Sequence, residues 1–395
     1  PQVKPGHGDV NRFLKVDIEN PGLCYRYVGA VVENVRVKPS PRWMRERLRL
    51  CGVRPINNLV DITNYVMLEY GQPMHCFDYK YVNGGHITVR NAKPGEEIET
   101  LDGANRTLGE EMLVIADEKG PIAVAGVMGG EFSGVYDDTT TIVFESAMFN
   151  GPSVRTTAKK LGMRTEASGR FEKGVCAAGS MEALERACML VNLLDAGDVV
   201  SGVIDLYPNP RPAQVITASV AHIQERAGVP IPADDMVRIL KKLHFGCERD
   251  GDTLTVTVPA FREDLDGEAD ICEECLRIYG YQHIPATPLS GQTTQGGVSP
   301  MKALKDRAAR LLTGMGYLEI MNFSFTGVKE IQKLGLPEGD LRNDPMPILN
   351  PLGEDAAVMR PTLACGMLRT LAFNMNHSTP AARLYEAAAV FDHHH

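Results

Sequence analysis

The chain has 395 residues, 44% apolar and 23% charged, with a formal net charge of −9. Its length implies two or three domains, its acidity argues against a generally basic nucleic-acid binder, and its apolar runs stop far short of the roughly 18 residues that span a bilayer. Nine unpatterned cysteines exclude a disulfide scaffold and the polar start PQVKPGHGDV is no signal peptide, so a cytoplasmic protein with reduced thiols is expected.

In chain order, the first 40 residues carry strand signals, with valines in partial alternation through YRYVGAVVENVRV. Ser40-Pro41 opens a helix with serine as N-cap, Met44, Leu48 and Cys51 on one face, and Gly52 at its end. Arg42, Arg45, Arg47 and Arg49 crowd that helix. A second helix is expected over 58–70, stopped by Gly71, and it delivers the chain to a Gln72-Pro73-Met74-His75 loop. The stretch from Arg54 to Asp78 is the densest in chemistry, with Asn57, Asn58, Asp61, Thr63, Asn64 and His75 set among Val, Ile and Leu. An unpaired buried polar group costs roughly 1–3 kcal/mol, so these groups must be hydrogen-bonded or used, and the segment reads as the wall of a site.

From Ile87 to Phe144 short strands alternate with glycine turns: HITVRNA, LDGANRTL, EMLVIAD, PIAVAGVMGG and TTTIVFESA. Glu145 follows on a short apolar strand, where a carboxylate is out of place unless paired. Helices are expected over 152–161 and 181–194, closing an α+β domain near Tyr207. Arg155, Lys159, Lys160, Arg164, Arg170 and Lys173 concentrate positive charge here; such runs are usually solvated faces, and the alternative is contact with phosphate.

The linker YPNPRPAQ marks a boundary. Beyond it come helices over 222–227 and 234–243, the strand TLTVTV and a helix holding Cys272 and Cys275, an order that resembles a small winged-helix-like module. With no second pair and no nearby histidine, the two cysteines read as buried packing. Asp270, Glu273 and Glu274 share a helical face, with Asp264 just upstream; four carboxylates suit a hard cation such as Mg²⁺, and acids in a first turn equally suit the helix dipole. Residues 290–299 form a second linker, after which come a helix over 301–312, the strand GYLEIMNFSF, the segment NPLGEDAAVMRPTL and the strand ARLYEAAAVF, a third domain that looks unfinished. His393, His394 and His395 are set aside as a tag remnant or a natural run cut short.

Read together, RPINNLVDITNYVMLEYGQPMHCFD, AGVMGGE, FESAMFNGPSVRTTAKKLGMRTEASGRFEKGV, FREDLDGEADICEECLRIYGYQHIP and the NPL…MRPTL segment closely resemble the beta subunit of bacterial phenylalanyl-tRNA synthetase. The resemblance implies an α+β multidomain fold: an α+β editing domain with N-terminal strands over 1–207, a winged-helix-like domain over 211–288, and an incomplete class II synthetase-like antiparallel α/β domain over 300–392. It implies an editing site that hydrolyses Tyr-tRNA(Phe), with Glu145 reading the phenol, His75 as the editing histidine, Thr165 and Ala167 as pocket wall, Gly129 as a close-approach glycine, and Asn64 and Thr63 orienting the ester or a water.

It further implies a Mg²⁺ at Asp264, Asp270, Glu273 and Glu274 shared with an alpha subunit, ATP used by the alpha2beta2 heterotetramer but not bound by this chain alone, tRNA(Phe) as partner, and no membrane. The family's inserted oligonucleotide-binding-type and C-terminal anticodon-binding domains are not in the sequence, so a fragment is expected. Two other functions compete: a non-catalytic scaffold for tRNA and the alpha subunit, and a metal-dependent hydrolase centred on 264–274.

Overall fold

A computed structural model describes residues 3–4, 6–379 and 381–392, and His393–His395 lie outside the described residues. The chain divides into two compact units, residues 1–287 and 288–395. Among the described residues, no helix is long and apolar enough to cross a membrane.

The first unit begins β1 (Lys15–Ile18), β2 (Cys24–Glu33), α1 (Arg42–Leu50), α2 (Asn58–Tyr70), β3 (Met74–Asp78), β4 (His86–Asn91), β5 (Glu97–Glu99), β6 (Asn105–Thr107), β7 (Leu113–Ala116), β8 (Pro121–Val124), β9 (Met128–Gly129) and β10 (Ile142–Phe149). It continues α3 (Gly151–Lys160), α4 (Glu166–Phe171), α5 (Gly179–Leu194), β11 (Asp198–Val199) and β12 (Ile204–Leu206). One sheet runs β1-β4-β7-β8-β9; the other runs β11-β2-β10-β3, with β12 also on β2. Strand alternation sorts the second sheet. Ile142 and Phe144 of β10 face a core shared with α1, α2 and α5, while Val143 and Ala147 face the core built with the first sheet. Glu145 shares the parity of Val143 and Ala147, so the pleat drives a carboxylate toward the layer between the two sheets.

Several expectations shift at the local level. Ser40 does not cap α1, whose N-cap is Pro41 without a side-chain bond; the Ser40 hydroxyl donates instead to Asp61 at 2.6 Å. The expected loop at His75 is strand β3, because antiparallel pairing with β10 satisfies its backbone from Met74 onward. Helix α4 carried no expectation. Thr165 makes it with a capping box, accepting from Ser168 N at 3.0 Å while Ser168 Oγ accepts from Thr165 N at 2.9 Å.

The rest of this unit comprises β13 (Val215–Ser219), α6 (Val220–Ala227), α7 (Ala233–Lys242), β14 (Gly246–Asp250), β15 (Thr253–Thr257) and α8 (Glu268–Tyr279), with an antiparallel sheet ordered β13-β15-β14. It has its own apolar core, in which Cys272 and Cys275 are buried. The second unit holds α9 (Pro300–Gly314), β16 (Leu318–Glu319), β17 (Phe325–Thr326), α10 (Val328–Gln332), β18 (Val358–Met359), α11 (Ala364–Asn376) and β19 (Leu384–Tyr385). Its two long expected strands shrink to two-residue pairings, β16 with β19 and β17 with β18.

Candidate functional site

A cavity of about 70 Å³ opens between the edge strands of the two sheets of the first unit. His75 on β3 and Glu145 on β10 stand directly opposite each other in the antiparallel ladder and both reach it. Gln72 sets this register from the side: its Nε2 donates to Ala147 O at 2.8 Å, and its Oε1 accepts from Ser180 at 3.3 Å. The His75 ring packs edge-on against Phe77, centroids 4.4 Å apart. Opposite, Gly129 ends the first sheet. A Cβ there would overlap the His75 ring, so only glycine lets β9 and the imidazole approach. Gly126, at φ +69°, lets the β8–β9 turn pack on Phe149 and Phe171.

The polar chemistry of the cavity is unspent. His75 Nε2 and Glu145 Oε2 are buried with no hydrogen-bond partner, as is the hydroxyl of Tyr27, which does not itself line the cavity. Burial raises the Glu145 carboxyl to about 7; the adjacent Tyr27 hydroxyl offsets this only in part, lying close without good hydrogen-bond geometry. Burial also lowers the His75 imidazole to about 4. At neutral pH the site therefore holds a neutral imidazole beside a carboxyl close to half-protonated. Such a pair accepts or donates hydrogen bonds to a polar guest without forming an ion pair.

Of the residues singled out from the sequence, His75, Glu145, Gly129 and Ala167 come together on the cavity wall. Thr165 does not line it. Its hydroxyl is committed to the α4 cap and to Val127 O at 2.9 Å, so it holds the wall from behind. Thr63 donates to Val60 O within α2 at 2.8 Å, and neither it nor Asn64 lines the cavity. The wider 54–78 segment also resolves into structure: Asn57 caps α2, Asn58 bonds Lys38 N and Arg36 O, and Asp61 accepts from Ile56 N. Only Pro73, Met74 and His75 of that segment face the cavity. Tyr27 was not anticipated, because an aromatic residue in an apolar strand reads as core.

The acidic group behaves differently from the expectation of a cation site. Asp264 and Glu274 are both bonded to Arg262, at 2.8 and 2.9 Å, and Arg277 closes on Glu274 from the other side. Burial would raise Glu274, but the two arginines outweigh it and bring the carboxyl to about 2. Asp270 caps α8 by accepting from Asp266 N and Gly267 N, and Glu273 is exposed. Among the described residues, no group of three or more His, Cys, Asp or Glu side chains is placed to hold a metal ion. The four carboxylates are committed to arginines, a cap and solvent, and as placed they do not fit Mg²⁺.

Comparison with known proteins covers most of the chain. Residues 23–195 match the B3/4 domain, 216–281 the tRNA synthetase B5 domain, and 284–395 the phenylalanyl tRNA synthetase beta chain CLM domain. The phenylalanine–tRNA ligase beta subunit of Clostridium acetobutylicum is 41% identical over 97% of this chain and 48% of its own length. That of Carboxydothermus hydrogenoformans is 44% identical over 96% of this chain and 47% of its own. The chain spans about half the length of the curated relatives it matches. Among solved structures, an N-terminal fragment of the phenylalanyl-tRNA synthetase beta-subunit from Pyrococcus horikoshii aligns with 71% of this chain and 78% of that chain at 16% identity, with a TM-score of 0.35, too low to bear on the fold.

Proposed function

This chain belongs to the phenylalanyl-tRNA synthetase beta-subunit family, and we propose that its cavity is an editing site that hydrolyses tyrosine esterified to tRNA(Phe). The observation that carries this reading is Glu145: a buried carboxyl on the cavity wall with an oxygen, Oε2, that has no partner. A tyrosyl phenol fills that vacancy. A phenylalanyl ring leaves it unpaired, and a site built around such a bond rejects the analogue lacking it by about 10⁴–10⁵. A synthetic pocket shaped for Phe has no equivalent lever against Tyr, which adds only a hydroxyl.

In the reaction, water attacks the ester carbonyl, the bond to the ribose oxygen breaks, and that oxygen leaves as a hydroxyl. His75, neutral at pH 7, orients the water through its unpaired Nε2. An imidazole held so low is a weak base, so the rate rests on positioning, helped by a neighbouring ribose hydroxyl of the substrate. Thr165 and Gly129 shape the wall, and Asn64 and Thr63 act through α2.

The larger assignments follow the same reading. Residues 1–207 form the editing domain and 211–288 a winged-helix-like domain, in keeping with three helices on a three-stranded sheet. Residues 300–392 are part of a class II synthetase-like domain. The partners are the alpha subunit, in an alpha2beta2 assembly that uses ATP, and tRNA(Phe), all in the cytoplasm. A Mg²⁺ shared with the alpha subunit would require Arg262 to release Asp264 and Glu274, and no step above draws on it.

The test is release of tyrosine from Tyr-tRNA(Phe), with Phe-tRNA(Phe) as the competitor. The wild-type chain should prefer the tyrosyl ester, Glu145→Ala should lose that preference, and a chelator should change little. No turnover at all would favour a binding scaffold. Turnover stopped by chelation but untouched by Glu145→Ala would point to a metal-dependent hydrolase elsewhere.

A further inference from the structure

Helix α4 has two working faces. Ala167 and Phe171 line the cavity, while Thr165, Glu166, Gly169 and Arg170, with Arg164 and Lys173 flanking the helix, line a recess of about 630 Å³ on the outside. Thr165 joins the two, since it borders the recess and its hydroxyl donates to Val127, a cavity-wall residue. A second recess of about 690 Å³ lies over α3, lined by Arg155, Lys159 and Lys160 and closed by Glu172 at the end of α4. The cavity and the first recess thus share helix α4 and the Thr165–Val127 bond.

The charge of this surface runs against that of the chain. Between residues 155 and 173 stand six basic and two acidic side chains, in a protein whose formal charge is −9. Lys160 is paired with Glu111 and Arg170 with Glu166. Arg155, Lys159, Arg164 and Lys173 are exposed and have no acidic partner within ion-pair distance among the described residues. A solvated face serving only solubility needs no such excess; four unpaired cations on or flanking the two helices that follow the Glu145 strand concentrate an anionic ligand there.

We propose that the α3–α4 face binds the backbone phosphates of the single-stranded 3′ end of the aminoacyl-RNA whose ester enters the cavity. This rests on the ester-hydrolysis reading above. If the 3′-terminal ribose sits at the cavity, the phosphates that precede it must lie along the adjoining surface, and Arg164 and Lys173 are the first cations they meet. Arg155 and Lys159 extend the track along α3.

The experiment uses the full chain and two double charge reversals, Arg155→Glu with Lys159→Glu and Arg164→Glu with Lys173→Glu. Hydrolysis of Tyr-tRNA(Phe) is followed against NaCl concentration. Each pair should raise KM about tenfold or more, with the effect in KM rather than kcat, and flatten the fall of log kcat/KM with log salt by about 0.7 for each phosphate no longer neutralised. The charge-conserving pair Arg155→Lys with Lys159→Arg should keep the wild-type salt slope. Unchanged KM and slope in both reversals would overturn the proposal.

A fold defect in the reversals would show in kcat and in the circular dichroism spectrum, and single reversals at Lys159 and Lys173 then serve in their place. If the wild-type chain hydrolyses neither Tyr-tRNA(Phe) nor 3′-O-tyrosyl-adenosine, the editing reading has failed. The surface is then judged by filter binding of unacylated tRNA(Phe), where equal affinity of wild type and reversals would overturn it.

Discussion

Burial moves the two titratable groups of the cavity in opposite directions, and stability should report this. Glu145 titrates near 7 when folded against 4.5 for an unburied glutamate, so its contribution is fully present below about 4.5 and lost as pH rises through 7. His75 titrates near 4 against 6.5, so its contribution is present above about 6.5 and lost as pH falls through 4. Between about 4.5 and 6.5 the two slopes oppose each other, each at most about 1.4 kcal/mol per pH unit. Glu145→Gln leaves the histidine term, and urea stability should then rise with pH across this window relative to wild type. His75→Gln leaves the carboxyl term, and stability should fall instead. The single tryptophan, Trp43 on α1, reports on the first unit by fluorescence. Parallel pH slopes in all three proteins would mean that the two groups are not buried together. Glu145 was legible because a carboxylate in an apolar strand breaks a pattern; Tyr27 was not, because it keeps one.

Helices and strands were legible where they carry local punctuation, and illegible where a distant partner makes them. Gly71, in the left-handed region at φ +74°, ends α2 where the expected helix ends, and Asn57 caps its start. Strand β3 lacks such marks. Its backbone is satisfied by β10, some 70 positions away in the register pair His75 and Glu145, and no local pattern announces that. Helix α4 is the clearest case of an element too short for periodicity yet central to the site. Its stability rests on the Thr165 capping box, and the same hydroxyl holds Val127 against the cavity. Thr165→Ala should therefore lower stability by about 1 kcal/mol and also loosen the wall carrying Ala167 and Phe171. Thr165→Ser, which retains the hydroxyl, should recover most of the stability in urea titrations and most of the ester hydrolysis proposed above. If Thr165→Ala retained stability but lost hydrolysis outright, the hydroxyl would touch substrate, and its placement behind the wall would be wrong.

Across the whole molecule the two units differ in how much apolar surface they bury. The first has three cores with fully buried Tyr27, Phe77, Phe144 and Ile115 among many others. The second has one small cluster among the described residues, Ile331, Val358 and Cys365, while Leu311, Met315, Met321, Phe323, Leu349, Leu352 and Phe373 are exposed. It also holds a buried ion pair: Arg360 meets Glu386 at 2.8 Å, with both side chains shielded from solvent. Ordering a residue costs roughly 1–2 kcal/mol of backbone entropy, and so few buried side chains at about 25 cal/mol per Å² offset little of it. Turn and helix signals in the sequence placed a boundary near Pro288, yet sparse burial is a property of packing that no residue pattern displays. Limited proteolysis reads it directly. A trace of trypsin should remove 288–395 well before it degrades the rest, leaving a resistant fragment that runs to about residue 287. If the alpha subunit proposed above covers the exposed Leu, Met and Phe side chains of the second unit, adding it should slow loss of that unit by mass action. Equal digestion of both units would instead show that the buried Arg360–Glu386 pair and its hydrogen bonds to Asn322 hold the second unit as firmly as the three cores hold the first.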